Sequence, residues 1–339
     1  MALYNKINAN ELKKRISESQ EERTTISFYK YHHIQDPQAF RDSLYMAWEP
    51  LGVLGRIYVA SEGINAQLSL PSANLGAFRD HLDSTGFLKA IRLNIAVKDN
   101  GKSFFKLAIK VRKKIVSDGI TDPSFDVTRI GKHLKAEEFN EITDREDVIV
   151  VDMRNHYESE VGHFENAILP DVVSFREQLP LVADMLKDKK DKPVVMYCTG
   201  GIRCEKASAY MLHKGFKEVY QLEGGIINYA NQVKSGGLKN KFHGKNFVFD
   251  ERLSESISDE VIAKCHQCGK PCDTHTNCAN VACNLLFIQC DSCRQTFSNC
   301  CSEECSQTAS LPEEQQKLLR KGKNFGRLVF NKGRKLKTS

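Results

Sequence analysis

The stretch CTGGIRCEK at residues 198–206 follows the apolar run PVVMY at residues 193–197 and precedes ASAYML at residues 207–212. This order predicts a buried strand that breaks into a glycine turn and then enters a helix. Ligand sites of open parallel sheets lie beyond the carboxyl ends of the strands, and Cys198 lies at such an end. The glycines allow a tight turn whose N–H groups surround the sulfur, and the helix dipole and Arg203 favour negative charge there. The sequence therefore predicts a cradle for a thiolate or an anionic sulfur adduct.

Both cysteines of this stretch have an alternative interpretation. An isolated cysteine at a strand end is commonly a small buried apolar residue. The strand–Cys–Gly-Gly–Arg–helix order instead favours Cys198 as a nucleophile, with Arg203 as its cationic partner. Cys204 could resolve an oxidised or persulfidated Cys198, or it could simply pack in the first helical turn. The other residues expected to form the loop are Thr199, Gly200, Gly201 and Ile202.

The chain of 339 residues divides into three folded segments and a tail. Residues 1–120 show a β-α-β-β-α-β order, which is typical of a ferredoxin-like α+β domain. Residues 126–240 alternate short apolar strands with helices, as expected for a parallel sheet buried on both faces. Residues 241–310 are rich in cysteine, and residues 311–339 form a basic tail. The predicted fold class is α/β, a central parallel sheet flanked by the ferredoxin-like domain and a Cys-rich, zinc-binding module.

Ten of the twelve cysteines lie between residues 265 and 305. Cys265 and Cys268 form one CxxC pair, and Cys290 and Cys293 form a second pair, with twenty-one residues between the two pairs. A tight turn lets both sulfurs of such a pair bind one tetrahedral ion, which predicts zinc in a reduced chain. A redox or accidental thiol cluster and an iron–sulfur cluster are the alternatives. A second site could draw on Cys272, Cys278, Cys283, Cys300, Cys301 and Cys305, with His266 or His275.

Charge and hydropathy limit the possible partners. The formal net charge is +6, and the last twenty residues carry eight basic residues and no acidic ones. This distribution predicts contact with a polyanion, or else a solvated end. No apolar run reaches the roughly 18 residues needed to cross a bilayer, and the N-terminus lacks the features of a signal peptide. We therefore expect a cytoplasmic protein without a membrane partner.

The cysteine stretch resembles a known enzyme family. Residues 198–229 resemble the active-site region of rhodanese sulfurtransferases, and VDMRNHYESEVGHFENAI at residues 151–168 resembles a second rhodanese segment. The resemblance implies that Cys198 is a persulfide-forming nucleophile. The four residues between Cys198 and Arg203 match the short loop of sulfur-handling members, which disfavours phosphate ester hydrolysis. The matching upstream residues are Asp152 and Arg154, taken as supporting residues, with Glu158, Gly162 and His163.

Two further stretches widen the resemblance to nearly the whole chain. IYVASEGINAQLS at residues 57–69 and CHQCGKPCDTHTNCANVACNLLFIQC at residues 265–290 resemble the flanking domains of bacterial tRNA uridine hydroxylases. The resemblance implies hydroxylation of the wobble uridine to 5-hydroxyuridine, with the tRNA anticodon stem-loop as substrate, molecular oxygen as co-substrate and an unidentified redox cofactor. A plain sulfurtransferase and a non-catalytic RNA-binding zinc scaffold are the alternatives. Basic residues expected to contact RNA are Lys110, Arg112, Lys113, Lys114, Arg320, Lys321, Lys323 and Arg327.

Overall fold

The computed structural model describes residues 3, 5 and 7–322. Two of the residues expected to contact RNA, Lys323 and Arg327, therefore lie outside the described residues. Within the described part of the chain, no helix is both long enough and apolar enough to cross a membrane.

The first unit is a five-stranded sheet with two helices on one face. After α1 (Ala9–Glu18), its elements are β1 (Arg23–Tyr31), α2 (Pro37–Trp48), β2 (Leu54–Ala60), β3 (Gly63–Pro71), α3 (Leu75–Ser84), β4 (Asn94–Ile95) and β5 (Leu107–Val111). The strand order β4-β1-β3-β2 is that of the predicted ferredoxin-like connection, and β5 adds a parallel strand beside β2. This part of the predicted fold class is confirmed.

Alternation along the strands gives this sheet one apolar face and one polar face. Ile26 and Phe28 of β1 are buried in a core around Trp48 of α2 and Phe78 of α3. Because successive strand side chains point to opposite faces, the polar residues between the buried ones lie on the other face of the sheet. The helices cover the apolar face and leave the polar face to a different part of the chain.

The second unit contains the predicted parallel sheet, with strand order β6-β10-β9-β7. All four residues of β9 are buried, and separate apolar clusters pack on the two faces of the sheet. This burial explains why the strand is a continuous apolar run. Its elements are β6 (Lys132–Leu134), α4 (Ala136–Thr143), β7 (Ile149–Asp152), α5 (His156–Ser159), β8 (Gly162–Phe164), α6 (Phe175–Met185), β9 (Val194–Tyr197), α7 (Ile202–His213), β10 (Val219–Leu222) and α8 (Gly225–Gly236).

The third unit is cysteine-rich and is joined to the second by a sheet. Its elements are β11 (Phe242–Phe247), β12 (Ser254–Ser256), β13 (His275–Asn277), β14 (Leu286–Ile288), α9 (Asp291–Thr296), α10 (Glu303–Ser310) and α11 (Glu313–Arg320). Strand β11 pairs with β8 of the second unit on one side and with β12 on the other. The segment predicted as a tail begins with α11, whose acidic first turn and basic last turn suit the helix dipole.

A buried ion cluster joins the first two units through α7. Lys206 is almost fully buried, and its ammonium lies 2.8 Å from a carboxylate oxygen of Glu62 and 2.5 Å from one of Asp118. Lys114 donates a further hydrogen bond to Asp118. The loop between β2 and β3 carries Glu62, so this cluster fixes the first unit against the helix that follows the cysteine stretch.

We expect Lys206→Ala to destabilise the protein by about 3–5 kcal/mol, because it removes the buried ammonium that Glu62 and Asp118 share. The matched control is Lys187→Ala, since Lys187 forms an exposed ion pair with Asp184 at 3.3 Å. Such pairs contribute at most about 1 kcal/mol. Urea denaturation would measure the free energy of unfolding of both variants, and equal losses would contradict a structural role for the buried cluster.

Candidate active site and cysteine clusters

Residues 198–203, called the cysteine loop below, connect β9 to α7. The N–H of Gly201 donates to the Cys198 sulfur at 3.1 Å, and the nearby N–H groups of Arg203 and Cys204 help to lower its pKa. Gly201 has a φ of +97°, and a Cβ there would lie 2.9 Å from the hydroxyl of Tyr29. A glycine is therefore required at the position where the loop turns around the sulfur.

Helix α8 holds the loop from the other side. The N–H groups of Ile226 and Ile227 donate to the carbonyls of Cys198 and Thr199 at 3.0 and 3.2 Å. A Cβ on Gly225 would lie 2.4 Å from the Cys198 carbonyl oxygen, so only glycine permits this approach. The carbonyls of Cys198 and Thr199 thus point towards α8, whereas the N–H of Gly201 points towards the sulfur.

Charge around the sulfur is arranged to favour a thiolate. Cys198 is fully buried, which opposes ionisation, but the Cys204 thiol and the Arg203 guanidinium lower its pKa to about 6. Burial and the hydrogen bond with Cys198 raise the pKa of Cys204 well above its ordinary value. Arg203 is bound in a bidentate manner by the buried carboxylate of Glu158, at 2.6 and 2.8 Å. At neutral pH the site therefore holds a Cys198 thiolate beside a Cys204 thiol.

Asp152 and Arg154 form a fully buried ion pair at 2.6 Å. Arg154 also donates to the Gly162 carbonyl at 2.6 Å, so the pair ties the end of β7 to β8. The hydrogen bonds of Arg154 go to these groups and to Asn246 rather than to the cysteine loop. His163, the middle residue of β8, donates from Nδ1 to the Ser159 carbonyl at 3.0 Å. These residues brace the sheet from which the loop emerges.

A cavity of about 670 Å³ lies between the cysteine loop and the polar face of the first sheet. Cys198, Gly200 and Arg203 line it from one side. Two rows of side chains line it from the other, because the register places them side by side across β1, β3 and β2. The first row is Ser27, Gln67 and Arg56, and the second is Tyr29, Asn65 and Tyr58.

Sequence reasoning missed these cavity residues. Asn94 of β4, almost fully buried, donates from its side chain to the Gly200 carbonyl at 3.2 Å and so touches the cysteine loop directly. Arg176 lies in the first turn of α6, and Phe249 follows β11, yet both reach the same cavity. In β3, polar Asn65 and Gln67 alternate with apolar residues. This alternation could have predicted that one face of the sheet is polar.

The basic residues predicted to bind RNA divide between two places. Lys110, Arg112 and Lys113 are exposed along and beyond β5, whereas Lys114 is partly buried by its bond to Asp118. The Arg112 guanidinium lies 5.5 Å from the ring centre of Tyr58, which connects this patch to the cavity. The described members at the other end of the chain are Arg320 in α11 and the exposed Lys321.

Eight of the ten C-terminal cysteines form two groups of four whose sulfurs lie within 4.8 Å of one another. A tetrahedral ion with sulfur ligands at about 2.3 Å requires sulfur separations of about 3.8 Å. The measured separations are 3.6 Å for Cys268–Cys290, 3.6 Å for Cys283–Cys301 and 3.8 Å for Cys301–Cys305. Both groups could therefore hold a metal ion. The groups are Cys265, Cys268, Cys290, Cys293 and Cys278, Cys283, Cys301, Cys305, which leaves Cys272 and Cys300 outside.

Three family models match the chain in consecutive ranges. The UPF0176 acylphosphatase-like domain matches residues 23–115, the rhodanese-like domain matches residues 135–232, and the rhodanase C-terminal model matches residues 243–306. Their order follows the three units of the structure, and the middle model contains the cysteine loop.

Several whole proteins are similar to this chain along nearly all of its length. It is 58% identical over 333 residues to the tRNA uridine(34) hydroxylase of Photorhabdus laumondii, covering 98% of this chain and 95% of that protein. The protein of the same name from Pectobacterium atrosepticum is 57% identical over 335 residues, covering 98% and 94%. The one from Leptospira interrogans is 55% identical over 332 residues, covering 98% and 90%. The chain belongs to the family of the tRNA uridine(34) hydroxylases.

Proposed function

We propose that this chain hydroxylates uridine 34 of tRNA to 5-hydroxyuridine, with molecular oxygen as co-substrate and Cys198 as the essential group. One observation carries the proposal: a sulfur stabilised as a thiolate lines a cavity between two units. The family membership of the chain supports the choice of substrate. A tRNA substrate also means that the enzyme acts in the cytoplasm.

The size and lining of the cavity suit a nucleotide turned out of the anticodon loop. Its volume of about 670 Å³ lies in the range of ligand sites, roughly 300–1,000 Å³. Tyr29 and Tyr58 offer aromatic surface for a base, and the amides of Asn65 and Gln67 can pair with the polar edge of uracil. Single-stranded bases in loops are commonly recognised by such stacking and edge contacts.

Two arginines at the cavity can bind the phosphates on either side of that nucleotide. Arg56 donates to the Phe249 carbonyl at 3.5 Å, and Arg176 donates to the Ser117 hydroxyl at 2.9 Å. Both acceptors are uncharged, so the two guanidinium charges are not neutralised by these bonds. With Arg112 beside Tyr58, they form a basic border around the cavity.

The two four-sulfur groups fit zinc, and we propose that they hold it. Zinc has no redox chemistry and would act there as a structural ion that fixes the third unit. The unit has two small apolar clusters in which cysteine is the commonest residue, so its own side chains bury little apolar surface. Metal binding would supply stability that these clusters lack.

Cys198→Ser should lower formation of 5-hydroxyuridine by at least about 1,000-fold, as expected when a nucleophile is removed. Affinity for tRNA should stay unchanged, because serine keeps the size of the side chain in the cavity wall. Mass spectrometry of tRNA nucleosides after reaction in air, with tRNA affinity measured on the same protein, tests both. Normal modification by the variant would contradict the catalytic assignment, and a parallel loss of binding would make Cys198 a structural residue.

Elemental analysis of protein purified without added metal should find about two zinc ions per chain, one for each four-sulfur group. Cys268→Ser and Cys305→Ser should each remove one ion, because each residue belongs to a different group. Cys272→Ser is the matched control, since that thiol lies outside both groups. A wild-type protein without metal, or loss of an ion from the control, would contradict the zinc proposal.

The double variant Arg56→Ala, Arg176→Ala should weaken tRNA binding and reduce the slope of log affinity against log salt by about 2, about one per lost phosphate contact. Arg79→Ala is the control, because Arg79 is an exposed residue of α3 on the opposite side of the same sheet. An unchanged slope in the double variant would mean that the phosphates lie elsewhere.

A further inference from the structure

Reduction of both atoms of O₂ takes four electrons. Oxidation of the uracil carbon supplies two of them, so hydroxylation needs two more from another donor. The cysteine loop and the first turn of α7 together hold two thiols, Cys198 and Cys204, that no step of the proposed function yet uses as a pair. Cys198 and Cys204 are both free and fully buried, and they pack in the same apolar cluster. The two side chains are close enough for the Cys204 thiol to lower the pKa of Cys198 and for Cys198 to raise the pKa of Cys204.

The positions of the two sulfurs relative to the cavity differ. Cys198 is among the residues that line the cavity, whereas Cys204 lies behind it in the first turn of α7. A substrate in the cavity can therefore reach only the Cys198 sulfur directly. The Cys204 sulfur can react with Cys198 and is protected by that residue from the cavity.

We propose that Cys198 and Cys204 act as the dithiol that supplies these two electrons, which rests on the proposed function. In the first step one oxygen atom becomes the hydroxyl on C5 of uracil and the other is transferred to Cys198, as the O–O bond breaks. Uridine, O₂ and the Cys198 thiol give 5-hydroxyuridine and a Cys198 sulfenic acid. Carbon and sulfur each lose two electrons, and oxygen gains four.

In the second step the Cys204 sulfur attacks the sulfur of the sulfenic acid. A Cys198–Cys204 disulfide forms, and the sulfenic oxygen leaves as water with the two available protons. The sum is uridine, O₂ and two thiols giving 5-hydroxyuridine, water and one disulfide. A cellular dithiol then reduces the disulfide by thiol–disulfide exchange, through attack at the sulfur that lines the cavity.

The environment of the pair suits both steps. The low pKa of Cys198 keeps it as the thiolate that takes up oxygen, and the high pKa of Cys204 keeps its proton in place until Cys198 is oxidised. Cys204 takes part in this chemistry only through its contact with the Cys198 sulfur. Cys204 is therefore a resolving residue and does not contact the uridine.

A single-turnover experiment tests the inference with the full-length, metal-containing wild-type protein. The protein is reduced with dithiothreitol, freed of it without oxygen, and mixed with unmodified tRNA in aerated buffer. We expect about one 5-hydroxyuridine per chain, and one Cys198–Cys204 disulfide for each product, by nucleoside and peptide mass spectrometry. Added dithiothreitol should restore repeated turnover.

Cys204→Ser separates the two steps. This variant should still form product once, but Cys198 should then be found as a sulfenic acid trapped by dimedone instead of a disulfide. Cys272→Ser, a thiol outside the loop and outside both four-sulfur groups, should behave like the wild type.

The outcomes distinguish this inference from the function on which it rests. Product formed by the wild type without oxidation of Cys198, a persulfide on Cys198 after turnover, or repeated turnover without added thiol would overturn the dithiol role alone. Absence of 5-hydroxyuridine under oxygen and dithiothreitol would instead overturn the proposed function.

Discussion

A negative charge on the Cys198 sulfur has to be stabilised where burial removes most of its hydration. Burial alone would keep the thiol protonated, and only several donors together lower its pKa to about 6. One of these donors, Arg203, is itself nearly buried and requires the carboxylate of Glu158. Glu158 in turn accepts the N–H of Asn155 at 3.0 Å. The charge on the Cys198 sulfur thus explains why Arg203, Glu158 and Asn155 form a connected set of buried polar groups.

The same helix that completes the cysteine loop also fixes the first unit. Arg203 faces the loop, whereas Glu205 and Lys206 of α7 face the first unit. Glu205 accepts a hydrogen bond from Tyr29 at 2.8 Å, and Lys206 binds the carboxylates of Glu62 and Asp118. Because these contacts are buried, a small rotation between the units would leave charges unpaired. The distance between the sulfur and the polar sheet face, which sets the shape of the cavity, is therefore tightly constrained.

Local sequence signals could predict the cysteine loop but not the wall opposite it. A buried strand, two glycines and a helix start specify the path of residues 198–203 through short-range sterics alone, and both CxxC pairs are equally local. The wall opposite depends on the register that places Asn65 between Tyr29 and Tyr58, and register is a tertiary property. The second four-sulfur group was predicted only as a choice among six cysteines and two histidines, because Cys278 and Cys305 meet only after the β13–β14 hairpin and α10 have packed.

The four-sulfur groups have a mechanical connection to the cavity although none of their eight sulfurs is among its lining residues. His266, next to Cys265, pairs with Glu160 at 2.7 Å, and His275 contacts the carbonyl of Tyr157 at 3.0 Å. Both contacts are made to α5 or to the residue that follows it. This short helix also carries Glu158, the carboxylate bound to Arg203. Phe247 packs on the Tyr157 ring, and the chain that follows it contributes Phe249 to the cavity wall. The zinc ions proposed for these groups would therefore have a structural purpose, since fixing the third unit would fix both the partner of the loop arginine and one side of the cavity.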